Sequence, residues 1–293
     1  MKKRKKIDWW ILGPYLTLSM IGLLEVYSAS SYRLLQADEN TKSLLLRQLI
    51  FIFLSWGVIF LARSIKLHYL LHPKIAGYGL ALSIFFLILV RVGIFGVTVN
   101  GALGAAGGVL YLGNKGWLPQ MFNHAYERIA TLRDPFIDSH GAGYQMTHSF
   151  YALYNGGIWG RGLGNSITKK GYLPETETDF IFSIITEELG LIGALCVLFL
   201  LFSLCMRIFC LSSRCKNQQA GLFLLGFGTL LFVQTIMNVG SIAGLMPMTG
   251  VPLPFVSYGG TSYLILSLGI GITLNISSKI QAEELPLYRP EKQ

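Results

Sequence analysis

An all-α polytopic membrane protein is the fold class this sequence predicts, with about six transmembrane helices and one large extracytoplasmic loop. Three observations carry that expectation. Mean hydropathy is +0.52. Charged residues make up only 13% of the chain, against about 25% in soluble domains. Six apolar stretches approach or exceed the roughly 20 residues that cross a bilayer core.

The stretches run over about 9–29, 44–62, 75–99, 180–206, 220–246 and 258–277. The first follows a basic cluster, Lys2, Lys3, Arg4, Lys5 and Lys6. It has spanning length and no evident cleavage site, so it reads as an anchor helix and not as a signal peptide. The next basic groups are Arg63, Lys66 and Lys74, then Arg207, Arg214 and Lys216, then Lys279. Lys and Arg mark cytoplasmic loops. All four groups share a side if the spans alternate and the segment before the fourth span stays outside, which places both termini in the cytoplasm. The segment 101–122, GALGAAGGVLYLGNKGWLPQMF, is Gly-rich and only moderately apolar. As a seventh span it would carry every later basic loop outside, so a weak or re-entrant segment is expected there. The whole of 1–293 then reads as a single membrane domain. It comprises a three-span part (1–100), the weak segment (101–122), an extracytoplasmic loop (123–179) and a second three-span part (180–293).

The net charge of +9 does not indicate nucleic-acid binding. The basic residues punctuate the ends of apolar runs and form no continuous face for a phosphate backbone. Cys196, Cys205, Cys210 and Cys215 lie in or just after one apolar run. No second Cys/His cluster completes a zinc site, and their expected position disfavours disulfides.

Two loops hold the polar chemistry. The first, 123–179, carries Arg128, Arg133, Asp134, Asp138, His140, His148, Arg161, Lys169, Lys170, Glu175 and Glu177, with a Gly-dense GGIWGRGLGNS. The second lies between the last two spans and reads GLMPMTGVPLPFVSYGG. Its three prolines forbid a helix, and irregular backbone at that depth must be enclosed by protein or line a wet cavity.

At these loops the chain resembles the SEDS proteins of shape, elongation, division and sporulation (the FtsW/RodA/SpoVE family). The resemblance is carried by YQMTHSFYALYNGGIWGRGLGNSITKKGYLPETETDFIFSIITEELG at 144–190, NVGSIAGLMPMTGVPLPFVSYGGTSY at 238–263, GLLEVYSASS at 22–31 and VTVNGA at 97–102. The VNGA segment and the ending PLYRPEKQ are more similar to the cell-division branch, FtsW, than to the rod-shape branch. The resemblance implies a normally ten-span glycosyltransferase of the bacterial plasma membrane. It would polymerise lipid II, an undecaprenyl-diphosphate-linked disaccharide peptide, beside a class B penicillin-binding transpeptidase. This chain departs from the pattern after VTVNGA and rejoins it near LGNKGWLPQMFNHAYERIATLRDPF, so three to four spans are missing. Removing four keeps the following loop outside. Impaired activity, a non-catalytic scaffold for division or elongation proteins and a lipid-linked precursor transporter all remain open.

Asp179, in TDFIF, matches the family's essential aspartate. The resemblance implies a general base for the acceptor sugar hydroxyl, a role that needs partial desolvation. The same position also suits a helix N-cap. Glu175 and Glu177 either perturb Asp179, or help hold a divalent cation (Mg or Mn), or form a solvated acidic turn; the family often has histidine where Glu177 stands. Glu187 and Glu188 lie in apolar sequence and need a polar partner or cavity. Glu188 falls about 180° from Asp179 at 100° per residue, and Glu187 about 80°, so Glu187 is the expected member of a shared site. Arg161, Lys169 and Lys170 either clamp the diphosphate of a lipid-linked donor or attract membrane headgroups; Arg128 and Arg133 are equally ambiguous. Ser257, Tyr258, Gly259 and Gly260, with Thr261, either shape the site opposite Asp179 or form a turn into the last span. Gln234 with Asn238, and Glu25 with Tyr27, are expected to bond or pack helices together.

Overall fold

The computed structural model describes residues 7–36, 42–65, 136, 143–170, 173 and 176–284. The expected span at 75–99, the weak segment 101–122, Arg128, Arg133 and Glu175 lie outside the described residues. Among those described, the chain is helical without strands: α1 Trp9–Gln36, α2 Lys42–Ser64, α3 Tyr144–Gly156, α4 Ile181–Arg214, α5 Gln218–Ile242 and α6 Gly260–Glu284. Five of these, all but α3, are long and apolar enough to cross a membrane.

The helices pack in two groups joined by α1, which lies against both α2 and α4. α6 packs on α2, and α5 packs on α4. α6 is the most enclosed of the five spans. The joints are polar where a bilayer supplies no hydrophobic drive for helix association. The Tyr15 hydroxyl on α1 meets the Oγ atoms of Ser55 on α2 at 2.9 Å and Ser267 on α6 at 3.2 Å. Asn275 Nδ2 on α6 donates to the Ala62 and Ile65 carbonyls at 3.0 and 2.8 Å, satisfying the open end of α2.

Two links tie α1 to α4. Near the start of α1, Arg207 Nη2 donates to Asp8 Oδ2 at 2.7 Å, and Ser277 Oγ joins the same oxygen at 2.7 Å. Toward its far end, Ser28 Oγ donates to Glu188 at 2.7 Å. The links are 20 residues apart on α1 (8 to 28) and 19 on α4 (188 to 207). At 1.5 Å per residue that is about 30 Å, one bilayer core. Exposed aromatics lie near both levels: Trp9 and Trp10 at one end, Tyr154 and Trp159 at the other. Trp and Tyr concentrate at membrane–water interfaces. The end bearing Asp179 is called the head end below.

α4 outlasts its apolar run, and Arg207 and Arg214 lie within the helix rather than in a loop after it. α5 stops at Ile242, short of the expected 246, where Gly244 turns the chain with φ +70°. α3 wedges between α4 and the end of α5. Ser149 Oγ donates to Ile242 O at 3.2 Å, and a Cβ at Gly156 would collide with the Thr186 carbonyl of α4.

Candidate active site

The turn before α4 and the proline loop before α6 are locked together by backbone capture. Three successive carbonyls accept from the second loop or its flanking helix. Glu177 O accepts from the Tyr258 amide at 2.8 Å, Thr178 O from Ser257 Oγ at 2.6 Å, and Asp179 O from Asn238 Nδ2 at 2.9 Å. Asn238 also donates to Val251 O at 2.7 Å, and Gln234 Nε2 to Pro252 O at 3.0 Å. Ser257 Oγ in turn accepts from the Leu253 amide at 2.8 Å. Prolines leave this loop short of its own donors, so side chains of α5 and the Ser257 hydroxyl fasten it. Phe255 is forced to φ +62° and held by edge contacts to Tyr15 and Tyr263 at 5.2 and 6.2 Å. A non-glycine residue in that region stores strain that its surroundings must fix.

The Asp179 carboxylate is half-buried and faces Gly250. A Cβ added to Gly250 would lie 3.4 Å from Asp179 Oδ2. The N-cap of α4 is Phe180, and no side chain caps it. The capping role open to Asp179 in the sequence is therefore not the one it takes.

A second polar cluster sits one helical stretch along α4. Glu187 and Glu188 are fully buried. Glu187 accepts from Ser166 Oγ, the Ile167 amide at 3.0 Å, and the amide and hydroxyl of Thr168 at 3.3 and 2.6 Å. Glu188 accepts from Ser28 Oγ, the Gly164 amide at 2.8 Å and Lys169 Nζ at 2.9 Å. Both carboxylates thus hold the stretch 161–170 against the helix. α4 breaks at Gly190, φ +73°. The freed Glu187 and Glu188 carbonyls accept from the Arg161 and Gly162 amides, and the Leu191 amide donates to Gly157 O, each at 2.9 Å. Gly160 and Gly190 approach so closely that a Cβ on either would collide with the other's backbone. On the outer side of this stretch, Arg161, Gly164, Asn165, Ile167 and Lys170 line a cavity of about 540 Å³.

Residues 9–104 and 109–282 match the model of the FtsW/RodA/SpoVE family, described as cell cycle proteins. The chain belongs to this family. It is 49% identical to the probable peptidoglycan glycosyltransferase FtsW of Enterococcus hirae, an alignment covering 99% of this chain and 98% of that protein. FtsW proteins of Lactococcus lactis and Bacillus subtilis are 44% and 43% identical over 61% and 54% of this chain. The chain spans only 43% and 39% of those two relatives' own length. Among solved structures, one described as a peptidoglycan synthase complex coordinating polymerization and crosslinking has the same fold. Its TM-score is 0.63 at 22% identity, covering 94% of this chain and 98% of that one. An aspartate-to-alanine variant of the rod shape determining protein RodA of Thermus thermophilus gives a TM-score of 0.58 at 25% identity, covering 92% and 97%. The five apolar helices and this family place the chain in the bacterial plasma membrane as a multi-pass protein.

The shortening expected from the SEDS pattern has a counterpart in the alignments. The family match breaks between 104 and 109, and the E. hirae alignment runs to 391 positions, 98 more than the 293 residues here.

Against the SEDS expectations, the structure sorts the site residues into two groups. Asp179, Ser257, Tyr258 and Gly259 meet at the head end, while Arg161 and Lys170 are exposed at the cavity. Glu187 and Lys169 require correction. Glu187 does not share a site with Asp179, because its four bonds all go to residues 166–168. Lys169 is buried, its ammonium engaged by Glu188 and Ser28 at 2.9 Å each. The reason is electrostatic: two carboxylates in apolar surroundings must recruit every donor in reach. Gly260 answers to packing, since the Phe51 ring of α2 leaves no room for a Cβ. Glu177 is buried, within 3.2 Å of the Thr176 hydroxyl, so it is not a solvated turn residue. Glu25 is buried with neither oxygen hydrogen-bonded, contrary to the interhelical bond expected of it, and Tyr27 is exposed. Asn238 and Gln234, expected only to bond helices together, anchor the loop opposite Asp179. Their one-turn spacing, directly before a donor-poor proline loop, was the available signal.

Proposed function

We propose that this chain is a peptidoglycan glycosyltransferase of the cell-division type, polymerising lipid II, with Asp179 as general base. The observation that carries the reading is the capture of carbonyls 177–179 by Tyr258, Ser257 and Asn238. It fixes the backbone that bears Asp179, with the half-buried carboxylate beside Gly250.

In the reaction, Asp179 accepts the proton of the 4-hydroxyl on the acceptor's outer sugar. The freed oxygen attacks the anomeric carbon of the donor strand with inversion. The bond from that carbon to the diphosphate breaks, and undecaprenyl diphosphate leaves with the electron pair. Fixing the base relative to the loop that faces it is worth much of such a barrier. Exposed Arg161 and Lys170 are suited to a lipid-linked diphosphate through charge-assisted bonds. Glu187, Glu188 and Lys169 hold the stretch that presents them. Among the described residues no group of three or more His, Cys, Asp or Glu side chains is placed to bind a metal. In this reading both termini are cytoplasmic, the head end faces outward, and a class B penicillin-binding transpeptidase is the partner.

The test is polymerisation of labelled lipid II by the purified full chain in liposomes. Wild type should form glycan strands, and Asp179→Asn should lose at least about a hundredfold in rate, the scale of general-base catalysis. No polymer with retained capture of the transpeptidase would make the shortened chain a scaffold. Translocation of the lipid without polymer would make it a transporter.

A further inference from the structure

The turn that opens α6 is fastened on one flank by α5, through Asn238 and Gln234. On its other flank lies α2. The Phe51 ring of α2 packs so closely on Gly260 that no Cβ fits there. Gln48 precedes Phe51 and Ile52 by three and four residues, the spacing that shares one helix face. All three line a small cavity whose opposite wall includes Ser257 and Gly260. Gln48 is buried, and its Oε1 accepts no hydrogen bond from the protein. A buried amide oxygen without a donor is costly.

The cavity supplies what that oxygen lacks. Its volume is about 10 Å³, room for about one water. A sugar or a diphosphate cannot enter it. The walls suit a water in both senses. Gly260 opens α6, and the first amides of a helix have no carbonyl one turn back to bond. Ser257 Oγ donates to Thr178 O and accepts from the Leu253 amide, which leaves one of its two lone pairs. One water can accept from the first amide of α6 and donate to Gln48 Oε1 and to Ser257 Oγ. Three bonds is the usual count for a buried water.

Ser257 and Tyr258 are also the residues that capture the Thr178 and Glu177 carbonyls. Whatever ties this turn to α2 therefore bears on the backbone under Asp179. Resting on the proposed glycosyltransferase reading, we infer that Gln48 is a positioning residue for Asp179. It acts through one buried water that its side-chain oxygen holds against Ser257 and the start of α6. The turn is then secured from both flanks, by Asn238 of α5 directly and by Gln48 of α2 through the water. The size of the cavity keeps Gln48 away from substrate, so its effect falls on turnover and not on binding.

The experiment uses the full chain in liposomes with lipid II varied through saturation. Gln48→Leu, which removes the acceptor, should lower the saturated rate by about tenfold or more, because small misplacements of a catalytic group are expensive. The lipid II half-saturation point should stay within about twofold. Gln48→Glu keeps an oxygen at the same reach, beside a helix N-terminus that favours it, and should restore most of the rate. A raised half-saturation point at an unchanged saturated rate would make Gln48 a substrate contact and overturn the inference. Equal losses in both variants would trace the effect to packing and not to the oxygen, and would overturn it too. So would no change in either quantity. A density map of the wild-type chain that shows waters is the second measurement, and it stands even if a variant fails to fold. A water within hydrogen-bond distance of Gln48 Oε1, Ser257 Oγ and the first amide of α6 is expected. Gln48 Oε1 bonded directly to a protein group would overturn the bridge. Wild type that folds but forms no polymer would remove the glycosyltransferase reading and with it the catalytic role of Gln48, while the map decides the bridge by itself.

Discussion

Asp179 stands in the turn that leads into α4 and the Glu187–Glu188 pair within that helix, and the two surroundings are built on different plans. At Asp179 the protein binds the backbone: three carbonyls in succession are captured, and the carboxylate is left half-buried beside a glycine. At Glu187 and Glu188 it binds the carboxylates themselves, with loop amides, hydroxyls and an ammonium closing over both. The contrast teaches that burial alone does not mark a functional acid: the most deeply buried carboxylates here are the ones that hold the glycine-rich stretch to α4.

Substitutions that remove these donors or acceptors one at a time should show the difference, beginning with the largest effect. Glu188→Gln leaves the Lys169 ammonium buried without its counter-charge. It should cost about 3–5 kcal/mol, the usual penalty for breaking a buried pair, read as a fall in thermal unfolding temperature and yield. Gly190→Ala places a side chain at φ +73° and against the Gly160 backbone. The left-handed conformation alone costs about 1–2 kcal/mol, and the collision adds to it. Ser257→Ala removes the hydroxyl that bridges the Leu253 amide and Thr178 O and should cost about 1–3 kcal/mol, while lowering polymerisation by loosening the backbone under Asp179. Asp179→Asn should leave the chain folded with the smallest change in stability of the four, while lowering polymerisation by at least about a hundredfold in the proposed reading. A chain unfolded by Asp179→Asn but tolerant of Glu188→Gln would break the comparison outright.

The class and the five described spans were legible in the sequence because a bilayer demands long apolar runs whatever their packing partners. The two loops were legible through their motifs, and the six-span reading also rested on where Arg and Lys fall. The partners of Glu187 and Glu188 were not legible. Helical geometry gives the direction of Glu187 from Asp179 but not the fold of the glycine-rich stretch that closes over it. Ser28 and Lys169 meet Glu188 from 160 and 19 residues away, a junction no local pattern encodes. The break at Gly190 was hidden for a related reason. A lone glycine in an apolar helix is ordinarily tolerated, and only the approach of Gly160 from another segment explains why this one turns left-handed.

The two polar links between α1 and α4 also act as a caliper. Asp8–Arg207 and Ser28–Glu188 are rigid stops set one hydrocarbon thickness apart. A helix pair pinned at both ends cannot slide to suit a thicker or thinner bilayer, so the lipid must deform or the pair must tilt as a unit. The second stop carries Lys169 and, through it, the stretch that lines the cationic cavity. Acyl-chain length should therefore reach the cavity mechanically. Reconstitution in lipids of graded chain length should give a lipid II half-saturation point that is lowest where bilayer and caliper match. A flat response across chain lengths would show the two to be uncoupled.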